Sequence, residues 1–229
     1  MPRPTWTNLP AEKRERVLAA AMREFGEHGF SAGSLNVIAR DAGVAKGSLF
    51  QYFDDKLDLF RTVCEASSDT IVAAVAPRVM KLAATGDLFA VLPEMLVVWV
   101  DYFADHPLER GVTAAINLEI DSEVRAAVRG VGHRHYLAVL RPLLEHARET
   151  GGLRPDADID VLLSLLILVL PHLALAPYVA SLEPVLPLFG CAGEELRPVL
   201  ERYGAVLRMF ATVPAGAVAE PPPAAAPEV

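Results

Sequence analysis

Apolar residues recur at helical spacing near the amino end of the chain and in much denser runs beyond it. Val17, Leu18, Ala21, Met22 and Phe25 form one stripe, with Lys13, Arg14, Glu15 and Arg16 mostly outside it. This predicts an amphipathic helix opened by Asn8-Leu9-Pro10 and ended by Gly29, with Phe30 packing beneath the next pair of helices. Leu35, Ile38 and Ala39 keep the helical spacing, Gly43 interrupts it, and Val44, Leu49 and Phe53 resume it. Two short helices across a tight turn are expected, because glycine reaches positive φ without steric cost. The outward residues of the second helix are then Lys46, Gly47, Ser48, Gln51 and Tyr52. They are small or hydrogen-bonding groups around one cation, a surface suited to a DNA major groove.

Asp54 and Asp55 put negative charge where the dipole of a fourth helix favours it, with Asp54 the expected cap. Leu57, Phe60, Val63, Cys64, Ile71 and Val75 carry that helix to Pro77 or just beyond. Residues 88–103 are apolar nearly all round, which predicts a helix buried among others, with Pro93 kinking it or marking its effective start. A short helix to about Leu118 comes after the break at Asp105-His106-Pro107, and Asp121-Ser122-Glu123 opens a long one that ends at Gly151-Gly152. Asp158 or Asp160 caps the next, and a last helix is expected over residues 194–210. The segment 161–182 has no charged residue and is long enough to span a bilayer. Against a spanning role stand Pro171, His172 and Pro177 within it, acidic Asp156, Asp158 and Asp160 before it, and flanks poor in Lys and Arg.

Composition narrows the function classes. The 229 residues are 52% hydrophobic, enough for a sizeable core, while net charge is −8, the wrong sign for binding nucleic acid with the whole surface. The acidity sits late: residues 1–63 hold nine Lys/Arg against eight Asp/Glu, and the remainder twelve against twenty-one. DNA contact then depends on local placement of cations such as Lys46, Lys56, Arg40 and Arg3. No Ser-nucleophile elbow, phosphate-cradling glycine loop or H-E-x-x-H motif occurs, so no enzyme is expected, and no cofactor. His133 and His135 face apart on a helix, and Cys64 and Cys191 stand in no ligand spacing, so no metal site is expected and both thiols read as reduced. No signal peptide is visible, which points to the cytoplasm. Residues 214–229, with the run P-P-P-A-A-A-P, read as a disordered low-complexity tail.

Phe25, Gly29-Phe30, Ile38-Ala39, Ala42-Gly43-Val44, the run Lys46-Gly47-Ser48-Leu49-Phe50, Tyr52-Phe53, Lys56 and Leu59-Phe60 together resemble the amino-terminal domain of TetR-family transcriptional regulators. The matches stay in register over some fifty residues, about the first quarter of the chain. The resemblance implies an all-α fold, with a three-helix DNA-binding domain containing a helix-turn-helix at 1–53 and a helical ligand-binding and dimerisation domain at 54–213. It further implies a homodimer formed through the last two helices, a double-stranded, palindromic DNA operator, and a repressor released by a small-molecule effector. The segments expected to enclose that effector, 88–103, 113–118 and 161–178, hold few ionisable groups, Glu94, Asp101 and His172, so it is expected to be largely apolar. The DNA-contacting positions it assigns are Ser34, Asn36, Lys46, Gly47, Ser48, Phe50, Gln51, Tyr52 and Lys56. The helices that surround a ligand in this family offer Trp99, Tyr102, Phe103, His106, Asn117, His172 and Tyr178. Three positions depart from the family pattern: Gly33 stands where a threonine is usual, Ala45 where a serine caps, and Phe50 where a tyrosine hydroxyl commonly meets phosphate. Two other classes stay open on the residues alone: a membrane-attached helical protein built on 161–182, and a helical ligand-binding protein without DNA binding.

Overall fold

The structure, a computed structural model, describes residues 2–84 and 87–211, and every regular element among them is helical. The expected tail at 214–229 lies outside the described residues. In chain order the helices are α1 Pro4–Thr7, α2 Ala11–Ala32, α3 Leu35–Asp41, α4 Lys46–Tyr52, α5 Lys56–Ala83, α6 Leu88–Asp105, α7 Pro107–Asn117, α8 Ser122–Glu149, α9 Ile159–Leu175 and α10 Arg197–Ala211. A 3-10 turn at Gly193–Glu195 precedes the last.

The α2 stripe is buried as the spacing predicts, with Val17, Ala21 and Phe25 inaccessible. Gly29 leaves helical geometry at φ 71°, yet the chain winds on to Ala32 before it straightens. A Cβ on Gly33 would lie 2.8 Å from the Phe25 ring and 2.9 Å from the Gly29 carbonyl oxygen, so the residue at this turn is held to glycine by crowding. Gly43, at φ 65°, makes the turn between α3 and α4. The cap of α5 is Asp55 and not Asp54: the Asp55 carboxylate accepts the Asp58 N–H at 2.8 Å, while Asp54 pairs with Arg3 at 2.8 Å. Pro77 does not stop α5, which continues to Ala83.

The charge-free run at 161–182 is not one helix. Asp158 caps α9, which holds Asp160 in its first turn and ends at Leu175, after which the chain turns through Pro177 and Ser181. Among the described residues no helix is long and apolar enough to cross a membrane. Nor is α9 buried all round: Leu162, Leu163, Leu166 and Leu170 face inward, whereas Val161, Leu165 and Leu168 are exposed.

Two hydrophobic clusters organise the chain. One joins α1–α4 and the first half of α5 to Val112, Ala115 and Ile116 of α7 and to Val124, Val128 and Val131 of α8. The other joins the far half of α5 to α6, the end of α8, α9 and α10. The core beneath the helix-turn-helix thus runs well past residue 53. Its closest seam is the crossing of α2 and α7, where a Cβ on Gly111 would meet the Gly26 Cα at 3.0 Å and one on Gly26 the Gly111 Cα at 3.0 Å. Two backbones that near leave no room for any side chain between them.

Alongside, α5 and α8 are tied by Glu65–Arg134 at 2.6 Å and Asp69–His135 at 2.9 Å. Burial alone lowers the His135 pKa, but the Val131 carbonyl and the Asp69 carboxylate outweigh it and raise the value above that of a free histidine. A raised folded pKa means the pair stabilises fully below the ordinary histidine value, about 6.5, and that this contribution is lost as pH rises through the folded value. Asp69 is largely exposed, so the contribution is at most about 1 kcal/mol. His135→Gln is therefore expected to cost more stability at acid than at mildly alkaline pH, as read by urea unfolding of both proteins at fixed concentration. An equal cost at both ends would remove the pair from the account.

Candidate nucleic-acid interface and cavity

Helix α4 presents a short exposed face made of Lys46, Gly47, Phe50 and Gln51, with Ser48 half-buried at its edge. Leu49 and Tyr52 point the other way, 1% and 5% exposed. Tyr52 is thereby corrected: its ring packs at 6.1 Å from that of Trp6 and 6.4 Å from that of Phe53, so it anchors α4 to the core instead of facing a groove. The reason lies in α1, a single turn that docks under α4 and sends Trp6 into the same cluster. A Cβ on Gly47 would meet nothing within 4 Å, so the open face reaches to the helix backbone there.

The carboxyl end of α4 is finished by residues far off in sequence. The Arg3 N–H donates to the Tyr52 carbonyl at 2.9 Å, its guanidinium donates to the Phe50 carbonyl at 2.8 Å, and the Thr5 hydroxyl donates to that of Gln51. Together they satisfy carbonyls that a seven-residue helix leaves open. Arg3 and Arg40, expected among the DNA-facing cations, are thus occupied within the protein, Arg40 with Asp41 at 2.7 Å. Helix α3 keeps Asn36 exposed, and the Ser34 hydroxyl accepts the Val37 N–H as its cap. Lys56 lies over the Phe30 ring and donates to the Ser31 carbonyl at 3.1 Å. Burial holds its pKa below the ordinary lysine value. Ala45 gives α4 no side-chain cap.

Deeper in the chain a cavity of about 150 Å³ opens between α5, α6, α7, α8 and α9, with Leu207 of α10 at one side. Most of its wall is apolar, from Val79, Leu92, Leu96, Leu144, Leu166 and similar residues. Of the sequence-derived ligand set, Trp99 and Asn117 lie in this wall. The Trp99 indole donates to the Leu170 carbonyl at 2.7 Å, and the Asn117 amide donates to the Thr113 carbonyl at 2.9 Å.

The other five lie outside the lining, each with another occupation. Phe103 is fully buried, 4.8 Å from the Trp99 ring. Tyr102 stacks on His106 at 4.0 Å, with burial and then the Glu109 charge pushing its pKa up to about 12. His172 pairs with Glu183 at 2.9 Å, and Tyr178 lies under the Arg110 guanidinium at 3.8 Å. These two miss the cavity because they close α9 or come after it, where the chain turns away.

Sequence reasoning overlooks the contribution of α8. Arg129, His133 and Tyr136 all line the cavity, together with Thr113 of α7 and Ser68 of α5. The one signal in the sequence is their i, i+4, i+7 spacing, which an amphipathic surface helix shares.

A helix-turn-helix and an apolar cavity thus stand in one helical chain, and known proteins share its sequence and fold. Residues 17–63 match the model of the family described as bacterial regulatory proteins, tetR family. The HTH-type transcriptional repressor AcnR of Corynebacterium diphtheriae is 31% identical over 156 residues, covering 66% of this chain and 73% of that protein. The HTH-type transcriptional regulator AcrR of Shigella flexneri is 36% identical over 102 residues, and there the match spans only 43% of the relative's length and 44% of this chain. The crystal structure of a TetR family transcriptional regulator from Chloroflexus aurantiacus superposes with a TM-score of 0.59 at 25% identity, covering 92% of this chain and 98% of that one.

Proposed function

Because this chain belongs to the TetR family of bacterial regulatory proteins, we propose that it is a homodimeric repressor, released from a palindromic operator by a largely apolar small molecule. Membership makes it a DNA-binding transcriptional regulator and not an enzyme. Residues 1–53 serve as the reader and 54–213 as the ligand-binding and dimerisation unit, acting in the cytoplasm. Lys46, Gly47, Ser48, Phe50 and Gln51 enter the groove, Asn36 reaches a neighbouring base or phosphate, and Lys56 and Ser34 lie by the sugar-phosphate backbone. A single α4 buries too little surface for useful specificity, so two copies on two half-sites are needed. The exposed apolar side chains of α9 and α10, both of which pack on α6, support a second copy of this chain as the partner.

The observation that carries the release mechanism is the position of α7. It supplies Thr113, Ile116 and Asn117 to the cavity wall and lies backbone to backbone against α2 at Gly111 and Gly26. A molecule that shifts α7 pushes on the helix supporting the reader, a second route beside α5. Release requires the effector to prefer the released arrangement, by about 3 kcal/mol for a hundredfold loss of operator affinity. The test titrates operator-bound protein with apolar compounds of graded length and with a matched panel of polar, multiply charged ones, following DNA release by fluorescence anisotropy. Release by the apolar panel is the expected result, and release by the charged panel alone would overturn the reading.

A further inference from the structure

One group in the cavity wall does not fit a purely apolar occupant. The Nε of Arg129 is buried and has no hydrogen-bond partner. The next cationic residues along α8 are both matched with acids of α5, Arg134 with Glu65 and His135 with Asp69. Arg129 has no such partner among the described residues, and no carboxylate lines the cavity it borders. A guanidinium nitrogen withdrawn from water without a hydrogen-bond partner is costly, and an anionic group entering the cavity would supply one. His133, one turn on from Arg129 and also in the wall, is held below the ordinary histidine pKa by burial first and by the Arg129 charge second.

The polar groups are also gathered at one end. Ser68 of α5 and Arg129 and His133 of α8 come from the halves of those helices near the reader, while Val79 of α5 and Leu143 of α8 come from the far halves. The side-by-side pairs show that α5 and α8 run in the same direction, so polar end and apolar end stay separate along the cavity. From Ser68 to Val79 the wall extends about 16 Å at the helical rise, room for a medium-length tail.

We propose that the cavity takes an amphiphile with one anionic head, a medium-chain carboxylate in its simplest form. The head rests on the Arg129 guanidinium, and the tail lies along the apolar walls of α6 and α9. This rests on the reading of the cavity as the effector site and adds the class of molecule. Arg129 also suits the task because its planar fork meets a carboxylate with two parallel hydrogen bonds.

The test measures binding to DNA-free protein by calorimetry with octanoate, octanol and octylammonium, so that the head varies and the tail does not. Octanoate is expected to bind at least tenfold more tightly than octanol, and octylammonium most weakly. In Arg129→Gln the octanoate advantage disappears while octanol binding changes less than about twofold, and Arg129→Lys keeps part of it as a point charge. Without ligand, Arg129→Gln is expected to fold and to melt near the wild-type temperature, since the half-buried Arg129 makes no ion pair among the described residues. Equal affinity for octanoate and octanol in the wild type, or an octanoate preference that survives in Arg129→Gln, would overturn the proposal. Repeating the series on operator-bound protein separates the two claims. Tight octanoate binding without DNA release would contradict the release mechanism alone, and release by octanol as readily as by octanoate would contradict the head-group assignment alone.

Discussion

Replacing Leu165 and Leu168 together by glutamate is expected to give a folded monomer with operator affinity reduced about a thousandfold or more, the lower range of the gap between specific and non-specific binding. The two leucines are 38% and 67% exposed, and with Val161 at 54% they form one stripe at i, i+4 and i+7. Met209 at 77% and Val206 at 52% add a similar stripe on α10. Since these side chains already meet water in the single chain, their replacement removes little from its core, and helical content is retained. In a two-fold interface each glutamate faces the partner copy of the same patch, and like charges meet at the centre. Sedimentation reports the oligomeric state and anisotropy the DNA affinity of the same sample. A double variant that remains dimeric and binds as the wild type does would move the interface away from α9.

Gly111→Val is expected to lose about 1–3 kcal/mol of stability, as overpacking a filled site does, and to change the effector concentration for half-release more than tenfold. The added side chain would have to begin at a point 3.0 Å from the Gly26 Cα and 3.4 Å from the Gly26 carbonyl carbon. Both neighbours are backbone, so α2 and α7 must part. That separation disturbs the seam through which the cavity reaches the reader. Gly47→Ala is the control for stability alone, because its Cβ enters open space and leaves stability unchanged or slightly higher. Unfolding midpoints and effector titrations of the operator complex read both quantities. A Gly111→Val protein with wild-type stability and wild-type release would show that the α2–α7 crossing carries neither packing nor signal.

What the residue pattern discloses is local. The helix-turn-helix is legible because its signals, the Ser34 cap, the Gly43 turn and the apolar spacing on either side, lie within about twenty residues. Tyr52 reads as outward because a seven-residue helix has no clear inner and outer face until α1 docks, and Trp6 of α1 lies forty-six positions away. The exchange of Asp54 for Asp55 as cap has the same origin, since Arg3 claims the Asp54 carboxylate. His172 and Tyr178 reach the cavity only on the premise of one helix through 161–182, and that run breaks after Leu175. Arg129 escapes notice for the opposite reason. Its neighbours Arg125 and Arg134 turn outward, to the Glu119 carbonyl and to Glu65, and only the rotation of α8 against α5 decides which of the three faces the cavity.

Two copies of this chain are expected to hold one DNA site through two copies of α4. Hydroxyl-radical footprinting on DNA flanking its own gene, with the stoichiometry of the same complex measured by sedimentation, tests it most directly. The expected result is two protected half-sites related by a dyad, about one helical turn or a multiple apart centre to centre, with two protomers bound. A single protected half-site held by one protomer, or uniform protection of every fragment tried, would contradict it.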